Sequence, residues 1–185
     1  MLPAPFNFEC IVCGICCQWG GWVCLYPEDV PRLADFFHLT PQETADRYTR
    51  HIAAEFANDQ SVSIVPYLAL KNVGDRCIFL EADGRCAVHP AKPIHCAESP
   101  LLAEFLLDKE GWKAFSGLCP GLGRGPLVSA RAMRAAMRRQ SKRDLQYEAD
   151  LAACDWSLAR LLNLVLPEPE LIPDLGLELD ESAEA

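Results

Sequence analysis

The stretch "CIVCGICC", residues 10–17, places four cysteines within eight positions and sets the main constraint on the fold. Its spacing is C-x2-C-x2-C, followed directly by a further cysteine. A tight, irregular loop with this spacing can turn three thiolates toward one polynuclear centre, as the cysteine runs of ferredoxins do. Four more cysteines are scattered downstream, at Cys77, Cys86, Cys96 and Cys119. The sequence therefore predicts a cysteine-ligated metal site with the rest of the chain folded around it.

The adjacent pair Cys16 and Cys17 raises the question of how many centres the cysteines form. Neighbouring side chains of an extended backbone point to opposite sides, so these two thiols would not reach one ion together. They could serve two centres, since eight cysteines divide evenly into two sites of four thiolates. Alternatively, Cys17 is a spare or structural thiol, and a single centre leaves a few cysteines reduced and reactive.

The spacing also bears on the identity of the metal. A crowded cluster with a remote cysteine before a proline, here Cys119 and Pro120, matches the ferredoxin pattern. Structural zinc sites more often use two separated C-x2-C pairs. An iron–sulfur centre is therefore favoured over zinc. His89 and His95 could each replace a thiolate, although an ordinary loop histidine is the simpler interpretation.

Two further cysteines and two further histidines are expected to be structural. Cys24 and Cys154 stand in apolar surroundings and are interpreted as small core residues. His38 and His51 fall within helical patterns, so neither is expected to bind a ligand.

Length and composition predict one domain, since half of the 185 residues are apolar and can form a core. The first ten residues contain no basic residue and no apolar run, and no segment has the length of a membrane span, so we expect a cytoplasmic protein without membrane contact. Thiols stay reduced in the cytoplasm. Ten cysteines therefore indicate metal ligands rather than disulfides.

Charge argues against nucleic acid as a partner, because the net charge is −9. The distribution is uneven, however. Residues 131–143 carry six cations and no acid, and residues 166–185 carry acids and no base. We expect the basic segment to be a solvated helix face, or to fold against the acidic tail. No protein partner can be named from these features.

The remaining patterns predict a mainly helical α+β fold, with short hairpins and loops around the metal site. Helices are predicted at residues 28–37 and 40–56, the second with a capping box of Thr40 and Glu43. Hairpins are predicted at 77–89 and 104–115, and an edge strand at 61–70 because it contains Pro66. The glycine-rich segment 116–126 is predicted to be a loop.

The C-terminal part is predicted to be helical from 126 to about 165, as one helix or two. Its apolar face in the second half is predicted to contain Leu145 and Trp156. These patterns divide the chain into a cysteine-cluster region at 1–125, a helical region of the same domain at 126–166 and an acidic, flexible tail at 167–185.

The order of the motifs resembles the YkgJ-type cysteine-cluster family, bacterial proteins described as zinc- or iron-chelating. The matching pieces are "CIVCGICC", "YPEDVPRLADFFHLTPQE", "CIFLEADGRCAVHPAKPIHC" and "CPG", which together span about residues 10–121. The resemblance implies that eight cysteines are metal ligands, namely Cys10, Cys13, Cys16, Cys17, Cys77, Cys86, Cys96 and Cys119. The family usually has an arginine–proline pair where this chain has Lys92 and Pro93, and lysine lacks the bidentate fork of arginine.

Three functions remain open from the sequence. The first is a metal-binding protein that holds an iron–sulfur centre or zinc. The second is an iron–sulfur enzyme of redox or methyl-transfer type, because a similar cysteine cluster occurs in lysine-N-methylases; no nucleotide-binding loop supports it. The third is an interaction module in which zinc staples the fold and the basic helix is the contact surface. The sequence does not decide whether the chain is an enzyme.

Overall fold

The computed structural model describes residues 2–18, 21–57 and 62–173 of the chain. It is 44% helical and 23% strand, so the predicted mixture of helix and strand is confirmed. The strands in chain order are β1 (Phe6–Phe8), β2 (Cys24–Leu25), β3 (Thr49–Ala57), β4 (Val62–Leu70), β5 (Asn72–Val73), β6 (Arg76–Cys77), β7 (Leu122–Val128) and β8 (Glu170–Ile172). The α-helices are α1 (Asp29–Phe37), α2 (Pro41–Tyr48), α3 (Ile94–Glu98), α4 (Ala103–Leu106), α5 (Lys109–Leu118), α6 (Ala130–Ala153) and α7 (Leu158–Leu162). Two short 3₁₀ helices lie at Ile15–Gln18 and His89–Ala91.

The main sheet has four strands in the order β2-β4-β3-β8. Its centre is a long antiparallel hairpin of β3 and β4, whose register runs from Thr49 opposite Leu70 to Ala57 opposite Val62. The C-terminal strand β8 pairs parallel to β3. Buried residues of β4 share one hydrophobic core with residues of α1, α2, α6 and α7. The sheet is therefore larger than the short hairpins that the sequence predicts, and it forms one wall of the core.

The first two helices begin as the sequence predicts. Asp29 lies in the first turn of α1, which buries Val30 and Leu33. At the start of α2, the Thr40 hydroxyl accepts the N–H of Glu43 at 3.2 Å, and the Glu43 carboxylate accepts the N–H of Thr40 at 2.9 Å. This reciprocal pair satisfies two of the donors that a helix N-terminus leaves free. The predicted capping box is confirmed.

The prediction that the second helix extends to residue 56 is wrong. The helix ends at Tyr48, and Thr49 takes an extended conformation while its hydroxyl donates to the carbonyl of Ala45 at 2.9 Å. The following residues pair with β4 along their whole length. Long-range strand pairing satisfies this backbone, and it outweighs a helical spacing of apolar residues that a local pattern cannot distinguish from a strand.

The prediction of an edge strand at 61–70 is also wrong, because β4 lies between β2 and β3. Pro66 is tolerated there for a local reason. The two residues of β2 pair with Leu68 and Ala69 and end before Pro66, so its missing N–H breaks no bond to β2. The carbonyl of Pro66 accepts the hydroxyl proton of Tyr147 from α6.

Of the two predicted hairpins, the one at 77–89 is reduced to a single antiparallel bridge between Leu80 and Cys86. The one at 104–115 is wrong, since this segment forms α4 and α5. The Asp108 carboxylate caps α5 by accepting the N–H groups of Glu110 and Gly111 at 3.0 and 2.9 Å. A Cβ on Gly111 would lie 2.4 Å from that carboxylate. The glycine that indicates a turn in the sequence therefore makes room for a helix cap.

The segment 116–126 is only partly a loop. Its last residues belong to β7, which pairs antiparallel with β1, with Phe6 opposite Val128. Val128, together with Leu106 and Met133, belongs to a smaller hydrophobic cluster beside this two-stranded sheet. The N-terminus is thereby tied to the region that precedes α6.

The C-terminal helical region consists of two helices, because residues 154–157 form a turn and the Ser157 hydroxyl caps α7. The buried face of α6 contains Met133, Tyr147 and Leu151. Leu145 is 65% exposed, so the predicted apolar face in this half of the helix is wrong. The sequence spacing fits both faces, and the position of the sheet selects one of them.

Within the segment predicted to be a flexible tail, β8 pairs with β3 at the edge of the main sheet. The rest of the predicted flexible tail, residues 174–185, lies outside the described residues. The division of the chain at residues 126 and 167 stays a prediction. Within the described ranges, no helix combines the length and the apolar character needed to cross a membrane.

Two leucines on α6 test the observed helix face. Leu151→Ala should lower the free energy of unfolding by about 2–5 kcal/mol, because Leu151 is fully buried and its truncation leaves a cavity. Leu145→Ala, on the same helix, should change it by less than about 0.5 kcal/mol, because most of that side chain is in solvent. Urea unfolding followed by circular dichroism measures both; a larger loss for Leu145→Ala would contradict the assignment.

Candidate metal centre

Four cysteine thiols from three separate segments lie near one another. Cys16 and Cys17 lie in the first 3₁₀ helix, Cys77 ends β6, and Cys86 closes the bridge to Leu80. The thiol of Cys17 is near enough to the other three, Cys16, Cys77 and Cys86, for each of them to shift its pKa. We call these four residues the thiol cluster.

A close backbone contact brings the opening loop to the cluster. Gly14 has a φ of +69°, and a Cβ at this position would lie 2.1 Å from the carbonyl oxygen of Gly84. The loop 10–17 therefore rests directly on the turn between Leu80 and Cys86, which only glycine permits. The N–H of Cys17 donates to the carbonyl of Gly14 at 3.1 Å, and this bond bends the chain into the 3₁₀ helix.

The expectation that Cys16 and Cys17 cannot reach one ion rests on an extended backbone, and this premise is wrong. In the 3₁₀ helix, successive side chains do not alternate between opposite faces as they do in a strand. Both thiols consequently belong to the same cluster, and their side chains are in contact.

The contacts divide the cluster into one protonated thiol and three acidic ones. A hydrogen bond from Cys17 lowers the pKa of Cys16 to about 7 or that of Cys86 to about 7, or lowers the pKa of Cys77; Cys17 has one proton, so only one of the three accepts it at a time. The same contacts raise the pKa of Cys17 far above its usual value, because its proton is shared with neighbouring thiolates. Thiolates are the form of cysteine that binds metal.

The other four cysteines predicted as ligands lie around the thiol cluster. Burial, and then the charges of Cys16, Cys77 and Cys86, raise the pKa of Cys96. Burial also raises the pKa of Cys119, with smaller contributions from the charges of Cys13 and Cys16. Cys10 is exposed, and its sulfur lies 3.8 Å from Nε2 of His89. These outer cysteines are Cys10, Cys13, Cys96 and Cys119.

Comparison with known proteins identifies this cysteine arrangement. Residues 9–120 match the family model CxxCxxCC, described as "Putative zinc- or iron-chelating domain". The chain belongs to this family. The match covers more than half of the sequence and contains every cysteine of the thiol cluster and the outer set. No curated protein and no solved structure matches the chain.

The two remaining cysteines of this CxxCxxCC protein lie elsewhere. Cys24 in β2 packs partly buried against Ile52 and Ala69, and burial raises its pKa to about 12. Cys154 ends α6, as the residue after its last turn. Cys24 is thus a core residue as predicted, and Cys154 marks a helix end.

Histidines do not complete the thiol cluster. His89 contacts Cys10 on one side and Lys92 on the other, whose Nζ lies 3.4 Å from Nε2. Nε2 of His95 faces the carboxylate of Glu104 at 3.5 Å. His51 lies in a strand, where its Nδ1 contacts the carbonyl of Pro167 at 2.8 Å. Of these three histidines, only His89 contacts a predicted ligand through its ring.

Asp29 also belongs to this region, although no sequence motif places it there. Its carboxylate is fully buried and accepts the N–H groups of Tyr26 and Ile94, each at 3.0 Å. It also pairs with Arg32, whose guanidinium donates to the carbonyl of Lys92 at 2.9 Å. An acidic residue in the first turn of a helix is the only sequence signal, and it does not reveal that Asp29 fixes the segment between Cys86 and Cys96.

The donor set suits a soft metal ion in type and in number, because four thiolates form the ligand set of structural zinc sites and of iron–sulfur centres. The four thiols are not yet arranged as a closed coordination sphere. Among residues 2–18, 21–57 and 62–173, no group of three or more Cys, His, Asp or Glu side chains is already placed to hold a metal ion. The thiols would have to adjust their side-chain rotamers around it.

Cysteine reactivity tests the thiol cluster directly. In reduced, chelator-treated protein at pH 8, iodoacetamide should modify Cys16 and Cys86 about tenfold faster than Cys24, or more. The cause is that their pKa values of about 7 leave them largely as thiolates, whereas Cys24, with a pKa of about 12, stays protonated. Peptide mass spectrometry gives the rates, and circular dichroism checks the fold; equal rates in folded protein would argue against the cluster.

Proposed function

We propose that this protein binds one soft metal ion, zinc in the first place, through the thiolates of Cys16, Cys17, Cys77 and Cys86. The observation that carries the proposal is the contact of the Cys17 thiol with the other three. Membership of a family described as zinc- or iron-chelating supports it independently. The geometry favours a single ion over the iron–sulfur centre that the spacing alone favours.

The reason is that the Cys17 thiol interacts with all three of the others. With Zn–S bonds of about 2.3 Å, two sulfurs of a tetrahedral site lie about 3.8 Å apart, so a single ion needs its four thiols close together. A polynuclear cluster places several metal ions between its cysteines and spreads them further apart. Thiols that already interact with one another therefore need smaller movements to surround one ion than to surround a cluster.

An iron–sulfur centre is the second candidate, and the outer cysteines support it. Cys13, Cys96 and Cys119 lie close enough for their charges and those of the thiol cluster to affect one another. A larger centre could draw on both sets of thiols. In that case redox or methyl-transfer chemistry, which a similar cluster in lysine-N-methylases suggests, would become the next hypothesis.

The two described cavities give a catalytic function less support than metal binding has. One has a volume of about 360 Å³ and is lined by His51, Trp156 and Pro167 among others. The second, of about 190 Å³, is lined by residues including Leu2 and Trp112. Neither contains a cysteine, whereas an enzyme that uses the metal would need a pocket beside the thiol cluster.

The interaction module remains as a third candidate, because α6 carries an exposed basic stripe. Its cations form no ion pair with any residue in the described part of the chain: Arg131, Arg134, Arg138, Arg139 and Lys142. Arg143 differs, since it binds the carboxylate of Glu98 at 2.8 and 3.1 Å. A solvated helix face, as the sequence predicts, accounts for the stripe without a partner.

Metal analysis of cysteine variants tests the proposal. Cys17→Ser and Cys86→Ser should each lose most of the bound metal and lower the melting temperature, because metal binding and folding are coupled in small metal sites. Cys154→Ser is the matched control and should keep both. Metal and acid-labile sulfide are measured after anaerobic purification.

The same series separates the two candidates. Zinc without sulfide, retained in Cys13→Ser, supports one ion in the thiol cluster. Iron with an equal amount of sulfide, lost in Cys13→Ser, supports an iron–sulfur centre that uses the outer cysteines. Equal metal content in Cys17→Ser, Cys86→Ser and Cys154→Ser would overturn the ligand assignment.

A further inference from the structure

Lys92 is a half-buried cation near the predicted metal ligands. Its Nζ lies 3.4 Å from Nε2 of His89, which in turn lies 3.8 Å from the sulfur of Cys10. No ion pair joins Lys92 to an acid within the described ranges of the chain. After the larger effect of the Cys17 hydrogen bonds, the charge of Lys92 helps to lower the pKa of Cys16 and Cys86. Its ammonium group therefore lies on the side of the cysteines, with His89 between it and Cys10.

The backbone of Lys92 is held in place by α1. Arg32 donates to the carbonyl of Lys92 at 2.9 Å, and the N–H of Ile94 donates to the carboxylate of Asp29 at 3.0 Å. Pro93, between them, is fully buried. The Asp29–Arg32 pair thus holds the backbone on both sides of Pro93. The buried Asp29 carboxylate also accepts the N–H of Tyr26.

We infer that Lys92 compensates the negative charge of the metal centre and that the Asp29–Arg32 pair positions it for this role. The inference rests on the proposed metal-binding function and adds a residue outside the cysteine set. Four thiolates around a divalent ion carry a net charge of about −2, whereas four protonated thiols carry none. A cation held nearby stabilises the metal-bound form relative to the metal-free form.

A lysine suits this role without the guanidinium fork of arginine. The negative charge of a thiolate site is spread over several sulfurs, and a compact ammonium can interact with it without a bidentate partner.

The zinc affinity of variants tests the inference. Zinc ion alone is the probe, and a chromophoric chelator competes with the protein for it, so that the dissociation constant can be measured. At pH 6.5, where free thiols are protonated, Lys92→Gln should bind zinc about tenfold more weakly than the wild type. Lys92→Arg should restore affinity to within about threefold, because it restores the charge. Arg85→Gln removes an exposed cation next to Cys86 in the sequence and should have little effect.

The positioning role has its own readout. Arg32→Lys keeps a cation beside Asp29, but its side chain ends one atom short of the guanidinium nitrogen that contacts both Asp29 and the carbonyl of Lys92. It should weaken zinc binding in the wild-type background and have little further effect in the Lys92→Gln background, because Arg32 acts through Lys92. Additive effects of the two changes would overturn the positioning role.

The outcomes separate this inference from the proposed function. If the wild type and Lys92→Gln bind zinc equally well, the role of Lys92 is overturned and the proposed metal site is unaffected. Lys92→Arg as weak as Lys92→Gln would exclude charge as the cause and also overturn it. Wild-type protein that binds neither zinc nor iron would overturn the proposed function itself, and the inference with it.

Discussion

The contact of the Cys17 thiol with three other thiols is the constraint on which the rest of the site depends. It joins a loop near the N-terminus to β6 and to the turn that ends at Cys86, segments about sixty to seventy residues apart in the sequence. Thiol hydrogen bonds alone are weak, so they cannot offset the entropy of closing so long a loop. A metal ion bound to the same sulfurs could, because its binding free energy becomes folding free energy.

A second anchor stabilises the other side of the site, and it is polar. The buried carboxylate of Asp29 is tolerable only because backbone N–H groups of Tyr26 and Ile94 and the guanidinium of Arg32 satisfy it. Burial raises the pKa of this carboxyl, while these hydrogen bonds and Arg32 lower it. Through these contacts α1, which contains no predicted ligand, determines where the segment between Cys86 and Cys96 lies.

The sequence predicts those features whose causes are local. Thr40 and Glu43 are three residues apart, and their capping box forms as expected. The start of α1 and the chemistry of the site, cysteine thiolates for a soft metal, follow from local patterns in the same way. Gly111 shows the limit of such patterns, because a glycine that is typical of a turn instead leaves room for the Asp108 cap.

Features that depend on distant partners could not be predicted. Residues 49–57 become a strand because β4 pairs with them, and Leu145 is exposed because the sheet packs on the opposite face of α6. Cys16 and Cys17 meet because Gly14 rests against the Gly84 carbonyl, seventy residues away. The roles of Asp29 and Lys92 likewise arise from tertiary contacts, since neither residue belongs to the cysteine pattern.

X-ray absorption at the edge of the metal in the purified protein tests the central claim most directly, because it reads the atoms bound to the ion. The account predicts a first coordination shell of about four sulfurs, at about 2.3 Å if the metal is zinc. A shell dominated by nitrogen or oxygen, at about 2.0–2.2 Å, would contradict it, because the ion would then lie outside the thiol cluster.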